Sequence, residues 1–146
     1  MAKILVFKAA RPFLTPVSVV SFYCLTRGTK YLSIGTTLIV APQGDAEAVH
    51  KLIAGSKSDG QGAFSIPCKS NASVALTFGG TQFNIDFRDL ALQPLDPNNP
   101  NGDCSSGITG GNIGGNTVWL CGDVFLKNAY FSTNVNKNTI SLAKLV

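Results

Sequence analysis

The chain of 146 residues has one histidine, one methionine and one tryptophan, and only 14% of its residues are charged. No apolar run approaches twenty residues, so the sequence offers no transmembrane helix. With a single histidine and no cysteines at metal-ligand spacing, we predict no metal site and no cofactor. The G-x-S-x-G motif that carries the nucleophile of many serine hydrolases is also missing, which argues against that class of enzyme.

Acidic residues are absent from the first 31 positions, where the five basic residues Lys3, Lys8, Arg11, Arg27 and Lys30 give a net charge of +5. Residues 32–146 hold seven Lys and Arg against eight Asp and Glu, a net charge of −1. The overall charge of +4 therefore belongs to the first stretch alone. Basic residues are not interleaved with aromatic ones on any predicted strand, so we predict no nucleic-acid partner.

The first stretch shows no sustained helical or strand period. Val17–Leu25 is apolar enough for the core of a signal peptide, but Arg27 and Lys30 follow it and no small-residue cleavage site is obvious. We leave residues 1–32 unassigned and hypothesise that they derive from translated non-coding sequence. The alternatives are a poorly ordered arm and one added strand on the following domain.

Fifteen glycines, seven prolines and nine phenylalanines are typical of many short strands joined by turns. The clearest pattern is SVALTF-GG-TQFNIDF, residues 73–87, in which apolar residues alternate on both sides of Gly79-Gly80. A two-residue glycine turn between two alternating segments predicts a β-hairpin that reaches Phe87.

Other segments agree with a β-rich fold. TTLIVA (36–41) predicts a buried strand stopped by Pro42, and Asp45 is then expected to cap a short helix that ends at Gly55. The run GITGGNIGG (107–115) contains no phosphate-binding motif and is predicted to be a loop. We therefore predict an all-β domain of mostly antiparallel sheets with one or two short helices.

Five segments of the chain occur in the order and spacing of one known protein family: SIGTTLIVAP (33–42), FSIPC (64–68), the hairpin VALTFGGTQFNIDF (74–87), CSSGI (104–108) and WLCGDVFLKNAYFSTNVNKNTISLA (119–143). Together they resemble the C-terminal lobe of the pepsin-like aspartic proteases. The first segment is similar to the loop Asp-Thr-Gly-Thr-Thr or -Ser and its apolar strand, and the last is similar to the closing segment of that lobe. FSIPC and CSSGI match the two half-cystines of the lobe, and the hairpin resembles the strand pair that lies inside their bridge. The resemblance covers about residues 33–146 and is nearest in character to the fungal secreted members.

The resemblance implies the all-β fold of one acid-protease lobe over residues 33–146 and a disulfide between Cys68 and Cys104. It also implies an endopeptidase built from two lobes, each with one catalytic aspartate, which binds its peptide or protein substrate in an extended conformation. Members of the family are secreted or vacuolar. Because residues 1–32 contain no convincing signal peptide, we assign no localisation to this chain.

The sequence departs from the family at the catalytic position, where Ser33 stands in place of Asp and Ile34 in place of Thr. Gly35 and Thr36 keep the family's loop residues, and Thr37 and Leu120 are candidates for the substrate cleft. Because a hydroxyl cannot replace a carboxylate as a base, we predict that this single lobe is inactive alone. The expected partners are the missing N-terminal lobe or a second copy, and the alternative is a non-catalytic peptide-binding module.

Three smaller predictions concern single residues. Asn71-Ala72-Ser73 is an acceptor sequence for N-glycosylation, which has meaning only in a secreted chain. Cys121 stands where the family has an apolar residue and is predicted to be a buried small hydrophobe, while the state of Cys24, which precedes the resemblance, is left open. Asp123 is predicted to cap a short helix rather than to act as a second catalytic acid.

Overall fold

The computed structural model describes residues 19–23, 30–134, 136 and 139–145 of the chain. Within these residues there are thirteen strands and three short helices. The strands are β1 (Val19–Tyr23), β2 (Lys30–Leu32), β3 (Ile39–Ala41), β4 (Lys57–Ser58), β5 (Phe64–Pro67), β6 (Ser73–Phe78), β7 (Thr81–Ile85), β8 (Ala91–Pro94), β9 (Asp103–Ser106), β10 (Ile108–Gly110), β11 (Trp119–Cys121), β12 (Ala129–Asn134) and β13 (Thr139–Lys144). The helices are α1 (Gln43–His50), α2 (Phe87–Leu90) and α3 (Asp123–Leu126).

The strands form sheets with the orders β1-β6-β7, β10-β3-β11-β2 and β4-β5-β9-β8, together with the ribbon β12-β13. Six of the nine pairings in the described part of the chain are antiparallel, and three are parallel. This confirms the predicted all-β class of mostly antiparallel sheets. The described residues contain three helices rather than the one or two predicted. Two of them, α2 and α3, are single turns of four residues each, which are too short to show a helical period in the sequence.

The predicted hairpin is present as β6 and β7, with Leu76 opposite Phe83. Gly79 and Gly80 form the turn with φ values of 55° and 82°, which glycine adopts without steric cost. The second strand ends at Ile85 and does not reach Phe87. The reason is Asp86, whose Oδ1 accepts a hydrogen bond from the Arg88 N–H at 2.9 Å and so begins α2.

The buried strand and the short helix predicted around β3 are both present, but three details of these local predictions are wrong. The strand covers only Ile39–Ala41, because the carbonyls of the preceding residues bond to α3 instead of to a sheet neighbour. Pro42 occupies the N-cap position of α1 and the helix ends at His50, whereas Asp45 lies inside the first turn without a capping bond. Residues 108–110 of the glycine-rich run form β10, which pairs in parallel with β3.

The core joins residues from β3, β5, β6, β7, α1, β11 and α3 in one cluster of buried side chains. Phe125 of α3 is fully buried and stacks on Phe78 with ring centroids 4.8 Å apart, while Phe83 meets the same ring edge to face. Helix α3 is therefore fixed to the hairpin by aromatic packing. Ile140 and Leu142 of β13 are both half-buried, on one face of that strand as its alternation predicts.

Two strands precede residue 33. β1 pairs in parallel with β6, and β2 pairs in parallel with β11, so backbone from the basic stretch contributes to two sheets. Cys24 lies outside the described residues, as do residues 135, 137 and 138 between β12 and β13. None of the described helices has the length and apolar character that crossing a membrane requires.

Candidate active-site loop

The loop of residues 33–38 joins β2 to β3 and contains the position where the resemblance expects an aspartate. Ser33 is half-buried, and its N–H donates to the Cys121 carbonyl at 3.1 Å, which extends the pairing of β2 with β11. The Ser33 Oγ lies 3.0 Å from the Thr36 Oγ1 and accepts a hydrogen bond from the Gly35 N–H at 3.3 Å. The loop is thus a closed turn held by two hydroxyl groups.

Strand β11 lies between β2 and β3, the two strands that this loop connects. Leu120 is paired with Tyr31 on one side and with Val40 on the other. Its side chain is half-buried, whereas its neighbours Trp119 and Cys121 are buried in the core. Alternation along β11 therefore turns Leu120 away from the core, next to the loop.

Helix α3 holds the loop from the other side through its backbone amides. The N–H groups of Asp123 and Val124 donate to the carbonyls of Thr36 and Thr37 at 2.8 and 3.0 Å, and the Gly122 N–H donates to Leu38 at 3.2 Å. These contacts satisfy donors that the start of a helix leaves without intrahelical partners. The predicted side-chain cap by Asp123 is wrong, because α3 has Gly122 at its N-cap and no side-chain capping bond.

Gly122 is needed for this approach. A Cβ at this position would clash with the Thr36 carbonyl oxygen and would lie 2.6 Å from that of Leu38, where real contacts do not occur. In the Gly122-Asp123 pair, the sequence analysis assigned a structural role only to the aspartate. A glycine between a strand and a helix indicates a close approach of two backbone segments, and this pattern could have identified Gly122.

The loop contains no ionisable side chain, since residues 33–38 read Ser-Ile-Gly-Thr-Thr-Leu. Ile34 is 80% exposed, and Gly35 and Thr37 are also exposed. The structure thus brings Ser33, Gly35, Thr36, Thr37 and Leu120 together around one loop. The chemistry on offer is hydrogen bonding and apolar contact, without a group that can take a proton from water.

The remaining predicted positions lie away from the loop. Cys68 and Cys104 form a disulfide across 36 positions, and this loop of chain encloses the β6–β7 hairpin as predicted. Cys121 is fully buried in the core, which confirms its predicted burial. Asn71 is exposed in the segment between the disulfide and β6. Among the described residues there is no cluster of three or more His, Cys, Asp or Glu that could hold a metal ion.

Sequence reasoning missed two polar contacts between distant segments. The Trp119 indole N–H donates to the Asp45 Oδ2 at 3.0 Å, which ties α1 to β11. The His50 Nε2 lies 2.8 Å from the Ser106 Oγ in the interior. Neither pair has a signal in local sequence, because 74 and 56 positions separate the partners.

A family model for eukaryotic aspartyl proteases matches residues 16–145. The chain belongs to this family. The match includes the β2–β3 loop, the disulfide, the hairpin and α3, which are the features that carry the resemblance to a pepsin-like lobe. It also begins upstream of residue 33.

Individual family members support the same assignment. The chain is 36% identical over 116 residues to an aspartic-type endopeptidase of Aspergillus fumigatus, a match that covers 79% of this chain and 23% of that protein. A probable aspartic-type endopeptidase of Trichophyton verrucosum is 33% identical over 115 residues, 79% of this chain and 22% of the relative. Cathepsin D of Bos taurus is 31% identical over 115 residues, 75% of this chain and 29% of the relative. This aspartyl protease chain therefore spans about a quarter of the length of these relatives.

Proposed function

We propose that this chain is the C-terminal lobe of an aspartic-type endopeptidase fold that contacts extended peptides but does not hydrolyse peptide bonds alone. The matched relatives bear the name aspartic-type endopeptidase, and the chain corresponds to about a quarter of their length. The observation that carries the proposal is the Ser33 Oγ, held by Thr36 and Gly35 at the position of the family's aspartate.

Aspartic proteolysis needs two carboxylates that share one proton, because the close pair separates their pKa values and supplies both a base and an acid. Ser33 removes one of the two. Its hydroxyl has no accessible negative charge, and its oxygen already accepts from the Gly35 N–H. Thr36 and Gly35 preserve the turn of the loop, so the lobe retains the scaffold of the site without its general acid–base group.

The partners that follow from this proposal are an extended peptide and the other half of the enzyme. Thr37 and Ile34 are exposed and Leu120 is half-buried, so hydroxyl and apolar groups remain for a peptide beside the loop. The other half is either an N-terminal lobe or a second copy of this chain. A second copy alone leaves the site without any carboxylate at this position, because each copy contributes a Ser33.

We expect the isolated chain to show no peptide hydrolysis at acid pH above the level of its Ser33→Ala variant. The substitution removes only a hydroxyl that does no catalytic work, so the two rates should be equal. The measurement is cleavage of a fluorogenic peptide between about pH 3 and pH 6, with and without a statine-type inhibitor. Inhibitor-sensitive hydrolysis by the unmodified chain that Ser33→Ala abolishes would overturn the proposal.

A gain-of-function variant provides the positive control. When mixed with a separately folded N-terminal lobe of a fungal relative, the Ser33→Asp chain should hydrolyse the peptide about 100-fold faster than the unmodified chain in the same mixture. Equal rates, in mixtures that analytical ultracentrifugation shows to be complexes, would contradict the assignment of the catalytic position to Ser33.

The alternative function is a peptide-binding module without catalysis, and the exposed Ile34 favours it. This side chain is 80% exposed where the family has a threonine, and it adds apolar surface next to Thr37. Binding of a statine-type analogue by the isolated chain, without turnover, would support the module. The matched control is Ile34→Thr, which restores the family residue and should weaken that binding.

The exposed Asn71 is proposed as an N-glycosylation site. When the chain is secreted from a eukaryotic host behind an added signal peptide, we expect one N-linked glycan, visible as a mass increment that an endoglycosidase removes. Asn71→Gln should abolish the increment. Asn101→Gln, another exposed asparagine without an acceptor sequence, should leave it intact. An unglycosylated secreted chain would contradict the site.

A further inference from the structure

A buried polar link joins the end of α1 to strand β9. His50, the last residue of α1, is 2% exposed, and its Nε2 lies 2.8 Å from the Ser106 Oγ. Its Nδ1 lies 2.7 Å from the Ala46 carbonyl oxygen. The imidazole also stacks on Phe64 of β5, with ring centroids 3.9 Å apart and the planes 5° from parallel.

The partners fix the protonation state of the ring. A carbonyl oxygen can only accept, so the His50 Nδ1 carries the hydrogen and donates to Ala46. The neutral Nε2 then accepts from the Ser106 hydroxyl, whose oxygen in turn accepts from the Ile108 N–H at 3.2 Å. While the imidazole is neutral, each group in this chain of contacts has a partner. A second proton on Nε2 would remove the acceptor of the Ser106 hydroxyl hydrogen and place a buried positive charge on the ring.

The surroundings of the ring do not favour a positive charge. Burial lowers the pKa of His50 below its ordinary value of 6.5, and the hydrogen bond to the Ala46 carbonyl raises it to a smaller extent. Glu47 of α1, Lys51 directly after α1 and Lys57 of β4 line the hollow beside the ring, and β5 contributes the uncharged Phe64. The charged residue of β9 is Asp103, which is paired with Lys57 at 2.5 Å. Lys51 and Lys57 outweigh the negative charge of Glu47 near the ring. No net negative charge is therefore available to stabilise a protonated His50.

Protons can reach the link from solvent. A surface hollow of about 470 Å³ lies between the C-terminal end of α1 and the segment of residues 51–58, and His50 and Phe64 form part of its lining. The ring is therefore buried but lies directly behind this water-accessible surface.

We propose that the His50–Ser106 contact is an acid-sensitive latch that holds the C-terminal end of α1 on β9 and opens when the imidazole is protonated. Helix α1 follows β3 directly and packs on β10 and β3. Opening of the latch therefore loosens the packing of α1 on β10 and β3. The latch depends on the fold alone and stands whether or not the chain binds peptides.

The direction of the pH dependence follows from the two states of His50. The folded protein holds the neutral ring, while the unfolded chain titrates at 6.5. The stabilising contribution is thus complete above pH 6.5 and is lost as the pH falls from 6.5 towards the lower pKa of the folded state. Over that window the equilibrium constant for opening rises by at most about tenfold per pH unit, the limit for a single proton.

The experiment uses the fact that His50 is the single histidine of the chain, so its imidazole NMR signals are unambiguous. We expect the ring of the intact protein to remain neutral below pH 6.5. Hydrogen-exchange protection factors of the α1 amides should fall as the pH drops from 6.5 to the lower midpoint of the folded ring, while those of the β6–β7 hairpin remain unchanged. A midpoint at 6.5 or above, or protection that falls equally in the hairpin, would overturn the proposal.

Two variants separate the latch from general acid sensitivity. His50→Gln offers an acceptor to Ser106 without a titratable group, and α1 should lose its pH dependence between about pH 7 and pH 5. Ser106→Ala keeps the imidazole and removes its partner, so α1 should be less protected already at about pH 7.5. The same loss of protection on acidification in His50→Gln as in the unmodified chain would disprove the latch. If His50→Gln fails to fold, the titration of the intact protein decides.

Discussion

Gly122→Ala is expected to destabilise the protein by about 3 kcal/mol and to open the β2–β3 loop. The added methyl group would clash with the Thr36 carbonyl and approach that of Leu38 within 2.6 Å, and both are backbone atoms that cannot rotate away. Relief requires α3 to move from the loop, which breaks the hydrogen bonds of Asp123 and Val124 to Thr36 and Thr37. Urea unfolding measures the loss, and hydrogen exchange locates it.

The matched control is Gly44→Ala. Gly44 lies inside α1 with an open neighbourhood, so a methyl group there meets nothing within 4 Å. Because alanine is the better helix former, this variant should keep or raise the stability by up to about 1 kcal/mol. Gly122 has φ −93° and ψ −156°, which alanine adopts readily. The loss of stability in Gly122→Ala would therefore come from the clash alone. A Gly122→Ala chain as stable as Gly44→Ala would contradict the close approach of α3.

Loss of the disulfide is expected to cost about 3–4 kcal/mol, estimated from the entropy of the chain segment that it closes. Cys68 follows β5 and Cys104 lies in β9, so the bond closes a segment of 36 positions around the hairpin, α2 and β8. The double variant Cys68→Ala/Cys104→Ala should show this loss as a lower midpoint of unfolding in urea. After reduction, the unmodified chain should unfold at the same midpoint as the double variant.

Reductant provides the internal control for this prediction. The double variant retains Cys24 and Cys121, so any effect of the reductant on other thiols would appear there as well. We expect no further change when the double variant is reduced. A midpoint of the reduced unmodified chain that equals that of the oxidised chain would show that the disulfide contributes nothing.

Elements with local signals were predictable from the sequence. The hairpin is specified by its own alternation and by Gly79-Gly80, and the structure places Leu76 opposite Phe83 as that pattern requires. The disulfide and the loop around Ser33 came from the resemblance to the pepsin-like lobe, whose motifs occur here in the family's order. For the hairpin, a few adjacent residues suffice to determine the backbone.

The errors have a common physical cause, which is competition from residues distant in the chain. Thr36–Leu38 have the β-branched and apolar character of a strand, but their carbonyls bond to α3, more than eighty positions away. Asp45 has the character of a helix cap, but the indole of Trp119 provides the donor. The His50–Ser106 contact has no local pattern of any kind. Tertiary contacts therefore override local propensity around the candidate site.

The insertion of β11 between β2 and β3 sets an order of events during synthesis. Residues 30–41 leave the ribosome first, but the central strand of their sheet, Trp119–Cys121, and the helix that clamps the loop are made some eighty residues later. Until then β2 and β3 have exposed edges and no partner between them. The β2–β3 loop can therefore reach its final shape only near the end of translation, and a nascent chain that stops before residue 119 cannot build it.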